Sequence, residues 1–321
     1  MDNLTHTLFA LTLANAGVGR RDPGVTATLL LSSNAPDIDI VTAFTSGAVQ
    51  YLAEHRGPSH GPIGVLALAT LTAAFVRICQ GRERAAHTSL TRLVAVALVG
   101  TLCHVLMDLP TAYRTRLLDP FNKAWYGFDW LPIIDVYLLV VLGAGLLAAQ
   151  VRPRRRAPVA AVVLVLTIAN YGLRATLNAA ALREERAASP RAAKLVDAAA
   201  IPTFFSPFRW RIVRRYPTGY ELSEVDLLKR AAGLRETQAD GPVWVPAEES
   251  HWTVRASQSA TARVFLDFSR FPAARTLSHP DGSVTVRWSD LRFFGNNFFV
   301  ATVRLSPDGL ILSEALGAME N

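Results

Sequence analysis

Four stretches of this sequence, Pro62 to Cys79, Leu90 to Met107, Leu131 to Ala149 and Pro158 to Leu177, are 18 to 20 residues long and almost uncharged. That is the length a helix needs to cross a hydrocarbon core about 30 Å thick. A chain carrying four of them is expected to be an α-helical integral membrane protein. Two earlier runs, Leu4 to Gly17 and Val25 to Phe44, are less regular, the first short and the second interrupted by Asp37 and Asp39. They are expected to form an N-terminal helical hairpin that enters the membrane or leans on the other helices. Only 18 % of the 321 residues are charged and 50 % are hydrophobic, against about 25 % charged in a soluble chain. This excludes a disordered chain and a coiled coil, and two cysteines exclude a disulfide scaffold. Cys79 and Cys103 lie inside apolar stretches and read as small buried hydrophobes. The N-terminus shows no basic leader, so no removable signal peptide is expected.

A net charge of +7 raises the question of nucleic acid, but the positions of the charges answer it. Between Met1 and Leu177 the 15 Lys and Arg and 10 Asp and Glu fall largely in short breaks between apolar runs, where basic residues set topology. Arg20 and Arg21, then Arg77, Arg82, Arg84 and Arg92, then Arg152, Arg154, Arg155 and Arg156 mark three cytoplasmic breaks. No nucleic-acid partner is expected. The opposite face then collects Asp2, Asp37, Asp39, Glu54, Asp108, Asp119, Asp129 and Asp135, together with His6, His55, His60 and His104. Of the histidines in this half, only His87 falls in a cytoplasmic break. Topology alone thus brings donors that are far apart in sequence to one level.

Beyond residue 177 the composition changes. A membrane domain over 1–177 is followed by an alanine-rich helical linker over 178–200 and a small α+β extramembrane domain over 201–321. Arg209 to Tyr216 and Gly219 to Leu222 read as a hairpin, and Ser223 as the cap of a helix running to Leu234. Arg263 to Phe268, Ser283 to Ser289, Phe298 to Leu305 and Leu310 to Ser313 alternate like strands, with Pro-Asp-Gly turns at Pro280 and Pro307. Four crossings return this domain to the acid-rich, non-cytoplasmic side.

The residues able to do chemistry cluster in motifs. His104-x-x-x-Asp108 places an imidazole and a carboxylate on one helix face. Ala35-Pro36-Asp37-Ile38-Asp39 puts two carboxylates at the end of an apolar run, where a cation would offset their cost. His55-Arg56-Gly57-Pro58-Ser59-His60 flanks a rigid turn with two imidazoles, and its guanidinium suits an anionic group. With His6, these give the candidate metal ligands His6, Asp37, Asp39, His55, His60, His104 and Asp108. Mixed nitrogen and oxygen donors suit zinc, with manganese or iron as alternatives, over calcium or magnesium, and seven donors are enough for one or two ions. Trp125, Tyr126 and Trp130 read as an interfacial aromatic belt, and Arg114, Arg116 and Lys123 as headgroup contacts.

These motifs, with Met1-Asp2-x-x-Thr5-His6, Pro120-Phe121, Asp129-Trp130 and Ile133-Ile134-Asp135, resemble the membrane-bound metal-dependent hydrolase family, the LexA-binding, inner-membrane-associated or YdjM-like hydrolases. The similarity covers roughly residues 1 to 175. Phe208-Arg209-Trp210-Arg211 and Ser289-Asp290-Leu291-Arg292-Phe293 resemble the extra domain of its longer members. Two positions depart from the pattern: Gly61 stands where the family has Ser or Thr, and Thr111-Ala112-Tyr113-Arg114 where it shows Thr-Ser-Tyr-Gly. The resemblance implies an inner-membrane hydrolase, and a more distant similarity to zinc-dependent phospholipases C implies phosphoesters.

The functional expectation is a metallohydrolase at the non-cytoplasmic surface, acting on a phosphoester or other ester of a lipid-like substrate. Arg56 would orient the anion, and Asp39 or Asp135 would serve as general base. Asp135 is equally suited to be a ligand or to accept from a ligating histidine. The alternative is a metal-binding membrane protein with a regulatory or partner-binding role and no turnover. A transporter is disfavoured, because the ionisable residues gather at one surface.

Overall fold

A computed structural model of the chain describes residues 1–18, 22–80, 88–188, 195–234, 241–293 and 299–317. Arg20, Arg21, Arg82, Arg84, His87 and Phe298, all invoked above, lie outside the described residues. The chain forms two compact units whose boundaries interleave: Met1–Ile40, His55–Thr176 and Phe204–Pro207 make the first, and Val41–Glu54, Leu177–Thr203 and Phe208–Asn321 the second.

The first unit is helical. α1 (Asn3–Ala16) starts at Asp2, whose carboxylate accepts the Thr5 amide, and α2 (Pro23–Ser32) starts at Asp22, which caps Gly24 and Val25. A 3-10 turn over Ala35–Ile40 follows. α5 (Pro62–Cys79) and α6 (Leu90–Asp108) form an antiparallel pair, and α2 packs on both. Their shared core is built from small residues, Ala10, Ala14, Ala69, Ala73 and Ala97, around Val25, Leu29 and Leu93. A side chain at Gly100 would collide with Ser32, which shows how closely α2 and α6 approach. α7 (Val136–Val151) packs on α1, and α8 (Arg156–Ala188) joins it around Met1, Met107, Leu138, Leu142 and Val163. Large apolar side chains such as Leu71, Phe75, Ile78, Leu106, Val140 and Ile168 are exposed, as an outer surface meeting lipid requires.

Three helices, Pro62–Cys79, Leu90–Asp108 and the one within Pro153–Arg183, are long and apolar enough to cross a membrane, so the four-span count is not confirmed. In the run expected to span from Leu131 the helix begins only at Val136 and is 16 residues long, because Asp135 caps it and Leu131 to Ile134 are not helical. The cysteines also depart from expectation. Both are free, Cys79 is exposed at the last residue of α5 and Cys103 is half-buried, so their apolar setting is the outer surface and not the packed core.

The second unit holds two antiparallel four-stranded sheets with neighbours in chain order. The first contains β1 (Asp197–Pro202), β2 (Arg209–Tyr216), β3 (Gly219–Asp226) and β4 (Val243–Pro246). The second contains β5 (Pro272–Ser278), β6 (Val284–Asp290), β7 (Val300–Leu305) and β8 (Ile311–Leu316). The β2–β3 hairpin falls where its turn residues put it. The helix expected from Ser223 does not form there: Ser223 pairs with Ile212 and buried Val225 lies opposite buried Trp210, so β3 continues to Asp226, which caps the short α9 (Leu227–Ala231). The strand expected over Arg263–Phe268 is helix α11 (Ala260–Phe268), capped by Ser259. It follows α10 (His251–Ala256), and its buried residues Ala262, Phe265 and Phe268 recur every three positions. The linker helix ends at Ala188, and β1 occupies the end of the segment. The short helices α3 (Val41–Thr45) and α4 (Gly47–Glu54) belong to this unit, where α4 packs on α11 and β8.

Candidate metal centre

All the helices of the first unit that carry donors present them at one end. Asp37 and Asp39 follow the C-terminus of α2, His55 and His60 precede α5, His104 and Asp108 occupy the last turn of α6, and His6 sits in the first turns of α1. Two groups form. Asp37, His60, His104 and Asp108 each offer an atom within 4.8 Å of all the others, and so do Asp37, Asp39 and His55. Asp37 is common to both. His60, His104 and Asp108 have fully buried side chains, whereas that of His55 is 13 % exposed, so the second group lies on the outer side of the first.

The ring nitrogens show what the inner group lacks. His104 Nδ1 lies 2.8 Å from the carbonyl of Ser33 and must donate to it, which leaves the Nε2 lone pair inward. Ser59 Oγ donates to Asp39 Oδ2 at 3.2 Å and so accepts from His60 Nδ1 at 2.9 Å. His60 Nε2 then also carries a lone pair, and the two Nε2 atoms face each other at 3.2 Å. Carboxylate oxygens of Asp37 and Asp108 lie 3.3 to 3.7 Å from these nitrogens. Lone pairs facing lone pairs and anions repel unless a cation lies among them. Asp108 Oδ2 and both nitrogens of His6 are likewise buried without hydrogen-bond partners among the described residues. The donor set therefore fits a divalent transition metal. Burial, with the nearby His104 and Arg56, holds the His60 pKa well below its ordinary value, so the ring is neutral and able to ligate.

The other candidates take surrounding positions. His6 stacks on His104 at 3.8 Å between centroids, with Nε2 3.5 Å from Asp108. Asp39 is held by the Arg56 amide at 3.0 Å and by His55 Nδ1 at 3.0 Å, so it orients the His55 ring. Arg56 adopts a left-handed backbone (φ 56°), costly for a non-glycine residue. This turns its guanidinium towards Asp108 at 3.1 Å and Thr111 at 2.9 Å, over the Tyr113 ring. The Met1 amino group also contacts Asp108. Asp135 is not brought into either donor group: one oxygen caps Leu138 at 2.8 Å and the other pairs with Arg174 at 2.7 Å. Asp119 pairs with Lys123, and Arg116 stacks on Trp125.

Sequence reasoning missed Thr111, Tyr113 and the Ser33 carbonyl. A main-chain acceptor leaves no residue signature, but Thr111 and Tyr113 stand in the segment where the chain departs from its family pattern. The other departure has a local cause, since a side chain at Gly61 would collide with the Asp119 carbonyl.

The sequence matches two family models. The family model described as YdjM inner membrane protein matches residues 1–179, more than half of the chain, and the chain belongs to that family. The YfhP C-terminal alpha/beta plait domain matches residues 253–321. A relative in Bacillus subtilis (strain 168), named "Uncharacterized protein YfhP", is 29 % identical over 150 residues. The match takes in 44 % of this chain and 43 % of the relative, so this chain spans less than half of that protein's length. No solved structure matches.

Proposed function

We propose that this inner-membrane protein is a metal-dependent hydrolase that cleaves a phosphoester or related ester at headgroup depth on the non-cytoplasmic surface. The observation that carries this reading is the inward pair of imidazole lone pairs on His60 and His104, enclosed by Asp37 and Asp108. Zinc suits these donors best, and the outer group of Asp37, Asp39 and His55 gives room for a second ion that would share Asp37. When bound, the metal supplies Lewis acidity towards an ester oxygen and lowers the pKa of water.

The chain's own residues do the rest. His60, His104, Asp37 and Asp108 hold the ion, Asp39 fixes His55, and the buried Arg56 brings a positive charge beside Asp108, where an anionic ester would be oriented. Asp39, which accepts from the Arg56 amide and Ser59 on one oxygen and from His55 on the other, is the carboxylate placed to act as general base. Exposed Leu4, Ile38 and Ile63 lie within two residues of His6, Asp37, Asp39 and Pro62, so the apolar surface continues up to the donor motifs. That suits a lipid-linked substrate arriving from the bilayer. The run Arg152 to Arg156 at the far end of α7 from Asp135 supports the sidedness.

Elemental analysis of the purified full chain and its His104→Ala and Asp37→Ala variants tests the metal, followed by a phosphoester panel that includes lipid substrates. Stoichiometric transition metal that falls in both variants is expected. Wild-type protein without bound metal, or variants with unchanged content, would overturn the proposal. Chelation that abolishes turnover while helicity persists supports catalysis, whereas collapse of the fold supports a structural ion without turnover.

A further inference from the structure

The first unit contains a second built feature, at the opposite end from the metal centre and independent of it. Between α7 and α8 runs an apolar groove of about 650 Å³, walled by Ala144 and Ala148 on one side and Val162 and Leu166 on the other, and ending at Arg152 and Arg155. Its floor is the close approach of the two helices at Gly145, where any side chain would strike Val163. From Val140 to Val151 the groove follows 12 residues of α7 before it ends at Arg152, or about 18 Å at the helical rise. One leaflet of the hydrocarbon core is about 15 Å deep. The groove therefore reaches from a polar surface to roughly the bilayer midplane.

The charges at its mouth are one-signed. No Asp or Glu occurs between Asp135 and Glu184, and among the described residues neither guanidinium has an ion pair or side-chain hydrogen bond. Arg156 differs, since its Nε turns back to the Ala149 carbonyl. Two exposed guanidinium groups above an apolar channel match a phosphate above an acyl chain, because guanidinium binds phosphate bidentately. They would repel the ammonium of a zwitterionic headgroup.

We infer that this groove binds one anionic phospholipid of the leaflet at the Arg152 end, with its phosphate on Arg152 and Arg155 and an acyl chain between α7 and α8. The full chain, reconstituted with equal amounts of phosphatidylglycerol and phosphatidylcholine and released for native mass spectrometry, tests this. Wild type is expected to retain phosphatidylglycerol by about tenfold over phosphatidylcholine. The double variant R152Q/R155Q should retain both alike. Ala148→Phe, which fills the groove's polar end from an exposed position without changing charge, should also lose the retained lipid. Arg154→Gln, in the same basic run but off the groove, should keep the preference. Equal retention by wild type, a preference that survives R152Q/R155Q, or one that survives Ala148→Phe would overturn the inference, the last by showing attraction to surface charge alone. Circular dichroism and metal content unchanged in R152Q/R155Q confirm that the comparison is between folded proteins. Should Ala148→Phe not fold, R152Q/R155Q and Arg154→Gln decide the matter.

Discussion

Replacing Asp135 with alanine probes whether this carboxylate belongs to the chemistry or to the scaffold. Its two oxygens are both engaged, one capping α7 through the Leu138 amide and one pairing with Arg174 Nη2. Arg174 is fully buried, and its Nε and Nη1 have no hydrogen-bond partner among the described residues, so Asp135 supplies the hydrogen bond and the opposite charge that its guanidinium has. Breaking a buried pair from one side costs about 3–5 kcal/mol, and losing an N-cap about 1 kcal/mol. Asp135→Ala is therefore expected to destabilise the protein by about 4–6 kcal/mol. Asp135→Asn keeps an acceptor for Leu138 and should cost less. Combining Asp135→Ala with Arg174→Met removes the stranded charge and should recover most of the loss, since an apolar replacement of a buried pair is often neutral. Equilibrium unfolding in mixed micelles of wild type, Asp135→Ala, Arg174→Met and the double variant gives the coupling between the two sites. Asp135→Ala within about 1 kcal/mol of wild type would refute the energetic reasoning, being far below the cost of a stranded buried charge. Loss of bound metal in a folded Asp135→Asn protein would refute the placement of Asp135 outside the donor groups.

Further outcomes follow from other contacts. Ser59→Ala removes the acceptor that fixes the His60 tautomer, and metal affinity by competitive chelation should fall about 10- to 100-fold with helicity unchanged. Gly61→Ser introduces the residue type of the family pattern, yet here it would strike the Asp119 carbonyl, so a cost of about 1–3 kcal/mol in unfolding and weaker metal retention are expected. Glu314 accepts the Thr261 amide at 2.9 Å, and chiefly this bond holds its pKa below the ordinary value against a partial burial. A lowered carboxylate pKa stabilises above the unfolded value and is lost as pH falls through the folded one. Glu314→Gln should therefore speed hydrogen exchange at Thr261 relative to wild type near neutral pH, and the difference should close as the pH falls below the ordinary glutamate range.

What the sequence revealed was local. The bounds of α5 follow from a proline start and the end of an apolar run, and the β2–β3 hairpin from its turn residues. The donor motifs were legible for a similar reason: His104 and Asp108 share a helix face at any tertiary arrangement, and topology was enough to bring Asp37 and His60 to their level. Three features were not legible, each because tertiary context decides it. The segment Arg263 to Phe268 satisfies both a two-residue and a three-to-four-residue period, and only its packing selects helix. The late start of α7 depends on Asp135 finding Arg174, 39 residues away. The Ser33 carbonyl that fixes the His104 tautomer is main chain, and any residue there would have supplied it.

The excursion of Val41–Glu54 has a consequence for biosynthesis. Asp39 and His55 meet across a loop whose helix α4 rests on α11 and β8, elements that emerge from the ribosome more than two hundred residues afterwards. Until those elements are made, α4 has only helix α3 of its own loop to pack on. The connection between two of the metal-binding motifs therefore gains its full packing only after nearly the whole chain has been translated.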